Sequence, residues 1–227
     1  ALNDVPATLD LRELKDVKSA TVIVDGKEIP YQIDDLDGNG TNDELCFLVD
    51  LEGKQTKTAT ITLSNKADGK LWKARTFAEM VLRNPKVKEK NKHDIYLSSI
   101  TIDKRTTNPY NVLHHHGVAF ESELIAMRIY MDKRQTIDLY GKFHKGLELE
   151  QTQFYTSKEQ KAQGYGDDVL WVGNTFGLGA FRGWNGTEPT LLEDVEHRTQ
   201  RILTTGPLRT IVEVTVEIGR ASCRERV

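Results

Sequence analysis

The chain has 227 residues, 38% of them hydrophobic and 29% charged. Lys and Arg number 31 against 34 Asp and Glu, and this net charge of −3 gives no basic footprint for nucleic acid. No run of 18 apolar residues is present to span a membrane as a helix, and Val, Ile, Leu and aromatic residues recur too steadily for a disordered chain.

The chain opens Ala1-Leu2-Asn3, without a Met or an apolar signal region, as a mature chain or a fragment would. Residues 1–67 read as β-structure. Ala20 to Val24 runs into Asp25-Gly26, a strong hairpin signal, and Ile29 to Ile33 is the predicted return strand. Leu45, Phe47, Val49 and Leu51 alternate until Gly53 breaks the run, and Thr58 to Leu63 alternates again. Four or five short strands with closely spaced turns predict a sandwich or barrel. Cys46 lies in an apolar strand and reads as a small core residue. Two cysteines cannot build a disulfide scaffold.

Between these strands lies the acidic loop Asp34 to Glu44. Asp35, Asp37, Asn39 and Asp43 stand at positions 1, 3, 5 and 9, with Gly40 at position 6 and the Thr41 carbonyl available at position 7. This spacing suits a structural calcium ion, which takes six to eight oxygens. Position 12 carries Cys46 rather than a carboxylate, so the loop is no EF-hand. A polar turn rich in Asp, Asn and Gly explains the same residues equally well.

Thr76 to Arg83 fits a helix or a strand. Lys86, Lys88, Lys90 and Lys92 form a basic run that reads as a solvated loop. Strand patterns return from 118 to 216. Glu123–Met131 and Thr136–Lys142 form a hairpin pattern with Ile125, Met127, Ile129 and Met131 on one face. A three-residue turn at Lys133–Gln135 would pair Ile129 with Leu139 and Met131 with Ile137. It would also place Arg128 opposite Tyr140 and Tyr130 opposite Asp138 on the other face. That polar face suits a sugar, with rings for its apolar faces and charges for its hydroxyls or carboxylate. An ordinary exposed sheet face is the plainer alternative.

His114-His115-His116-Gly117 precedes the hairpin, with Glu121 and Glu123 just after it. Histidine serves as acid, base or metal ligand near neutral pH, although zinc wants a better-spaced third ligand. Tyr165–Asn174 and Arg182–Gly186 mix glycines with Tyr and Trp, as ligand sites and tight β corners both do. No GxSxG, Walker A, dinucleotide or HExxH motif occurs. Ile211 to Val216 alternates as a strand. Residues 218–227 have no periodicity, carry three arginines and look like a translated sequencing adapter. The expected organisation is an N-terminal β-region at 1–67, the first part of a larger sandwich domain at 68–217, and a non-native tail at 218–227.

The segments His114–Glu123, Arg128–Tyr130, Asp138–Lys142, Gly164–Asn174 and Arg182–Trp184, with the acidic loop, resemble a family of domains of unknown function. Its members resemble secreted or periplasmic bacterial proteins encoded beside pectin- and ulvan-degrading enzymes. The strand patterns predict a mainly antiparallel all-β fold with few short helices, and the resemblance implies a galactose-mutarotase-like supersandwich, truncated here at its C-terminus. It also implies polysaccharide degradation in the periplasm or outside the cell.

The function expected on this basis is β-elimination on uronic-acid-containing oligosaccharides. Catalytic candidates are His115, His116, Tyr130 and Arg128. Substrate-binding candidates are Glu121, Glu123, Asp138, Tyr140, Asp168, Trp171, Arg182 and Trp184. An arginine would neutralise the uronate carboxylate, and imidazole or phenol would act as base and acid. The alternatives are a mutarotase or epimerase built on a His and Glu pair, and a non-catalytic glycan-binding sandwich. The expected partners are an oligosaccharide or polysaccharide, with no nucleic acid and no membrane span. The only expected cofactor is structural calcium at Asp35, Asp37, Asn39, Thr41 and Asp43.

Overall fold

The computed structural model describes residues 1–14, 16–87, 95–152, 154–173, 177–180, 182–193, 195–218 and 221–226. Lys88, Lys90 and Lys92 of the basic run lie outside these residues. The fold is mainly antiparallel β, as expected, with one short helix among the described residues. The chain divides into two compact units. Unit 1 is Ala1–Thr76 with Leu203–Arg209, and unit 2 is Phe77–Ile202 with Thr210–Val227.

Unit 1 contains β1 (Leu2–Asp10), β2 (Ser19–Val24), β3 (Lys27–Ile29), β4 (Tyr31–Asp34), β5 (Glu44–Leu51) and β6 (Ala59–Ser64). They form two three-stranded sheets, β1-β5-β4 and β3-β2-β6. Alternation along β2 buries Ala20, Val22 and Val24, which pack with Leu11, Tyr31, Leu45 and Phe47 into one core. Cys46 is buried as a free thiol. Asp25 and Gly26 both take positive φ, 51° and 75°, as the tight hairpin turn between β2 and β3 demands. The return strand expected from Ile29 to Ile33 is divided in two. Pro30 has no N–H for a ladder, so the chain leaves the β2 sheet there and pairs next with β5.

Residues 203–209 complete this unit. The Gln32 side-chain oxygen accepts the N–H groups of Leu208 (2.9 Å) and Arg209 (3.0 Å), and its amide donates to the Arg209 carbonyl at 3.0 Å. Arg209 reaches Asp34 at 2.7 Å and Glu44 at 2.6 Å. Gln32 and Asp34 are buried, so these partners satisfy groups that would otherwise be costly to shut away from water.

Unit 2 contains β7 (Thr76–Glu79), β8 (Ser99–Asp103), a 3-10 turn (Pro109–Asn111), β9 (Gly117–Ser122), β10 (Ile125–Tyr130), β11 (Ile137–Gly141), α1 (Lys158–Ala162) and β12 (Asp167–Asp168). There follow β13 (Gly183–Trp184), β14 (Pro189–Thr190), β15 (His197–Thr205, whose residues from Leu203 on belong to unit 1), β16 (Thr210–Ile218) and β17 (Ala221–Arg226). Residues 76–83, left open between helix and strand, begin as β7. The sheet orders are β12-β11-β10-β9-β7 and β17-β16-β15-β8, with β13-β14 as a separate ribbon. Met80, Leu113, Val118, Ile129 and Val212 form the largest core cluster of this unit. Gln200 of β15 ties the two sheets together, accepting from Val118 N at 2.8 Å and donating to Ile129 O at 2.9 Å.

The β10–β11 hairpin forms with its register two residues from the expected one. Ile129 pairs with Ile137, Arg128 with Asp138 and Ala126 with Tyr140. The connection is longer than three residues: Met131 N leaves the hairpin to donate to His116 O, and Gln135 takes φ 45°. A slip of two keeps every side chain on its expected face. The expected exposure of the polar face is wrong, however, because Arg128, Asp138 and Tyr140 are buried. The tail read as irregular forms β17, which pairs with β16 over Glu213–Ile218. An open strand edge offers its backbone to a following segment whatever the side-chain pattern.

Candidate functional site

The residues gathered on the polar face of β10 and β11 surround one cation. Arg128 is 1% exposed. Its guanidinium donates to Asp138 Oδ2 at 2.5 and 3.0 Å, to the Tyr130 hydroxyl at 3.1 Å, and to the Tyr155 hydroxyl. It also lies over the rings of Phe154 (4.1 Å), Tyr155 (4.7 Å) and Tyr130 (5.0 Å). Asp168, brought beside Tyr140 by β12, stands 4.0 Å away. Burial and the nearby Asp138 raise the Asp168 carboxyl above its ordinary range. Arg128 is therefore fully engaged and closed off, whereas the sequence suggested a cation open to substrate.

The open groups lie one step outward. The imidazole of His116 stacks on Tyr110, with centroids 3.7 Å apart, and both rings meet Tyr130 edge to face at 5.5–6.3 Å. His116 Nδ1 lies 2.8 Å from the Tyr110 carbonyl oxygen. A carbonyl only accepts, so Nδ1 carries the proton and Nε2 keeps its lone pair. Burial, opposed by that hydrogen bond, lowers the His116 pKa to about 4, so the ring is neutral at neutral pH. The Tyr130 phenol is pushed well above its ordinary value, first by burial, so it stays protonated. Its hydroxyl donates to Asp138 at 2.9 Å. Arg134 lies over Tyr110 at 4.6 Å and Tyr130 at 4.7 Å, and is held from one side by Asp132. The Tyr110 ring also lines a cavity of about 390 Å³, whose wall includes Asp132, Lys133 and Arg198.

Backbone strain concentrates here. Among the described residues, eight non-glycine positions have positive φ, and four of them, Asn108, His116, Gln135 and Phe154, belong to this region. Only a site that over-determines its backbone holds bulky residues in the left-handed region.

The other expected residues fall in three groups. His115 is buried and bonded to Glu79 at 2.8 Å, beneath Phe154. Glu121 is also buried, pairs with the ammonium of Lys142, and accepts the N–H groups of Glu148 and Leu149. Tyr140 donates to Glu148 at 2.8 Å. These three face the interior and hold the fold, so they do not meet a ligand from solvent. Glu123 lies 3.5 Å from Lys145 at the hairpin margin. Arg182 donates to the Arg134 carbonyl at 2.7 Å, which ties the β13 segment to the turn that carries Arg134. Trp171 and Trp184 are exposed, at 91% and 67%.

Sequence reading missed Tyr110, Arg134, Tyr155 and Lys142. Arg134 looked like part of a hairpin turn, and Tyr110 stood before the histidine run without a pattern of its own. In the acidic loop, carboxylate oxygens of Asp35, Asp37 and Asp43 lie within 4.8 Å of one another. Asp35 accepts the N–H groups of Gly38 and Gly40, and Asp43 those of Leu36 and Asp37. The Asn39 amide oxygen is taken by Thr41 N at 2.7 Å. The three carboxylates could hold a cation, and the Thr41 N–H to Asn39 Oδ1 hydrogen bond closes the turn beside them.

Among known proteins, residues 1–221 match the family described as Domain of unknown function (DUF4861). No curated protein and no solved structure matches the chain.

Proposed function

The chain belongs to the DUF4861 family of domains of unknown function, and we propose that it cleaves uronic-acid-containing oligosaccharides by β-elimination. The observation that carries this reading is the grouping of a neutral His116, a protonated Tyr130 and the cation of Arg134 on shared aromatic rings. Elimination needs those three: a base for the C5 proton, an acid for the leaving oxygen and a positive group for the carboxylate.

In this reading Arg134 holds the uronate carboxylate and so acidifies the adjacent C5–H bond. His116 Nε2 removes that proton. The electron pair forms the C4–C5 double bond, and the C4–O bond breaks. Tyr130 turns its hydroxyl from Asp138 and gives its proton to the departing oxygen. Arg128, 3.1 Å from the Tyr130 oxygen, steadies the phenolate that remains. It is thus a positioning residue behind the phenol. The proton then returns from imidazolium to phenolate through solvent, and no oxidant or reductant is consumed.

A mutarotase or epimerase would draw on a His and Glu pair. His115 and Glu79 form one, but both side chains are only 1% exposed, which favours elimination. The resemblance to secreted glycan-utilisation proteins supports action outside the cytoplasm. The convergence of Asp35, Asp37 and Asp43 supports a calcium ion that staples their loop.

The deciding experiment follows ultraviolet absorbance while the protein meets oligogalacturonate or ulvan fragments. A rise from the new conjugated double bond that disappears in His116→Ala is the expected result. Tight binding without any rise would overturn elimination and leave a glycan-binding sandwich.

A further inference from the structure

Unit 1 carries an open groove of about 440 Å³, outside the site above, whose walls include Lys18, Tyr31, Asp68, Leu71 and Trp72. Tyr31 and Trp72 meet edge to face, with ring centroids 6.3 Å apart and planes at 74°. Tyr31 is fixed in place because its hydroxyl donates to Asp68 Oδ2 at 2.9 Å. Asp68 is itself held by the backbone N–H of Lys70 at 3.0 Å. The groove is thus a built surface with a rigid aromatic corner.

Two donors in it are unspent. The indole Nε1 of Trp72 is shielded from water and has no hydrogen-bond partner. A buried Trp N–H ordinarily finds an acceptor, so an orphan marks a place where an oxygen belongs. Lys18 is exposed and has no carboxylate partner among the described residues, whereas Lys70 nearby is paired with Glu28. Leu71, beside the indole, is 96% exposed. An apolar side chain and a ring, an N–H donor and a cation together match a pyranose that carries a carboxylate. The apolar C–H face would lie on Leu71 and the Trp72 ring, the carboxylate would meet Lys18, and a small turn of the indole would bring Nε1, now shielded, to a sugar hydroxyl.

We propose that this groove is a second, non-catalytic binding site for an acidic pyranose unit of a glycan chain. The choice of a uronate polymer rests on the function proposed above, but the groove uses none of the catalytic residues. The chain has three tryptophans, so Trp171→Phe with Trp184→Phe leaves Trp72 as the sole indole reporter. Titrating that full-length variant with oligogalacturonate should give a saturable change in Trp72 fluorescence. Adding Lys18→Gln, an exposed change that spares the core, should weaken the titration about tenfold, as should methyl-esterifying the oligomer. A silent indole, or a response that ignores both the lysine and the esterification, would overturn the proposal. The two readings fail separately. Ultraviolet product without a Trp72 response removes the groove alone. A Trp72 response with no ultraviolet product from the unsubstituted chain supports the groove and removes elimination.

Discussion

The ring of Tyr110 lies flat on the imidazole of His116, 3.7 Å away and 8° from parallel, while the Tyr110 carbonyl takes the proton of Nδ1. One residue thus fixes both the tilt and the tautomer of the imidazole, and leaves Nε2 as its basic atom.

A pH profile follows from that tautomer. The base works only when neutral, and its pKa is lowered from 6.5 to about 4. Activity should therefore persist well below pH 6.5 and fall as pH drops through about 4. The Tyr130 shift is upward, so the alkaline limb should lie beyond the ordinary phenol range. A profile of kcat/KM with its acid limb near 6.5 would refute the assignment of His116. His116→Ala should lower kcat by about 10²- to 10⁴-fold.

Arg134 should act on binding of the carboxylate. Arg134→Gln should reduce kcat/KM about 10- to 100-fold, and esterified substrate should lose no further activity in the variant. If the variant still discriminates acid from ester, the carboxylate is held elsewhere.

Arg128 and Asp138 form a closed pair, 1% and 7% exposed at their side chains. Removing one partner strips the other buried charge of its nearest counter-charge, leaving Arg128 the more distant Asp168 or Asp138 the Tyr130 hydroxyl, so Arg128→Met or Asp138→Ala should each cost about 3 kcal/mol in urea unfolding. The double variant should cost much less than the sum. Additive losses would mean that the pair is not coupled.

Gly117 begins β9 against β10, and a Cβ there would collide with the Ile129 carbonyl oxygen. Backbone cannot move aside as a side-chain tip can. Gly117→Ala should cost at least about 2 kcal/mol, read from thermal or urea unfolding. A neutral result would show that the two strands separate freely at that end.

Calcium should raise the melting temperature of the full chain, and chelation should lower it, with the effect lost in Asp37→Asn. Asp43→Ala should destabilise even under chelation, by about 1–2 kcal/mol, because Leu36 N and Asp37 N lose their acceptor. Equal melting curves with and without calcium would leave the loop as a hydrogen-bonded turn.

What was legible in the sequence had a local cause. Asp25-Gly26 announced its hairpin because both positions need positive φ, and the alternation of β10 and β11 assigned each side chain to its face. The register was harder to read, since a slip of two preserves that alternation. The burial of Arg128 was hidden altogether. Alternation says which residues share a face, but the cover comes from Phe154, 26 positions along the chain, in a segment with no strand pattern. Glu121 misled for the same reason, because nothing near it in sequence announces Lys142. His116 could be proposed from residue type, yet its tautomer depends on a carbonyl six residues earlier.

The return of Leu203–Arg209 into unit 1 bears on how the chain is made. Gln32 and Asp34 emerge early from the ribosome, but Leu208 and Arg209, which satisfy them, are still untranslated. At about 5–20 residues per second, they must wait on the order of ten seconds. During that interval the first 76 residues hold two polar groups that cannot yet be closed in. Synthesis order makes the nascent N-terminal region the stage at which a chaperone has most to protect. An expression fragment that stops before residue 203 would make that wait permanent.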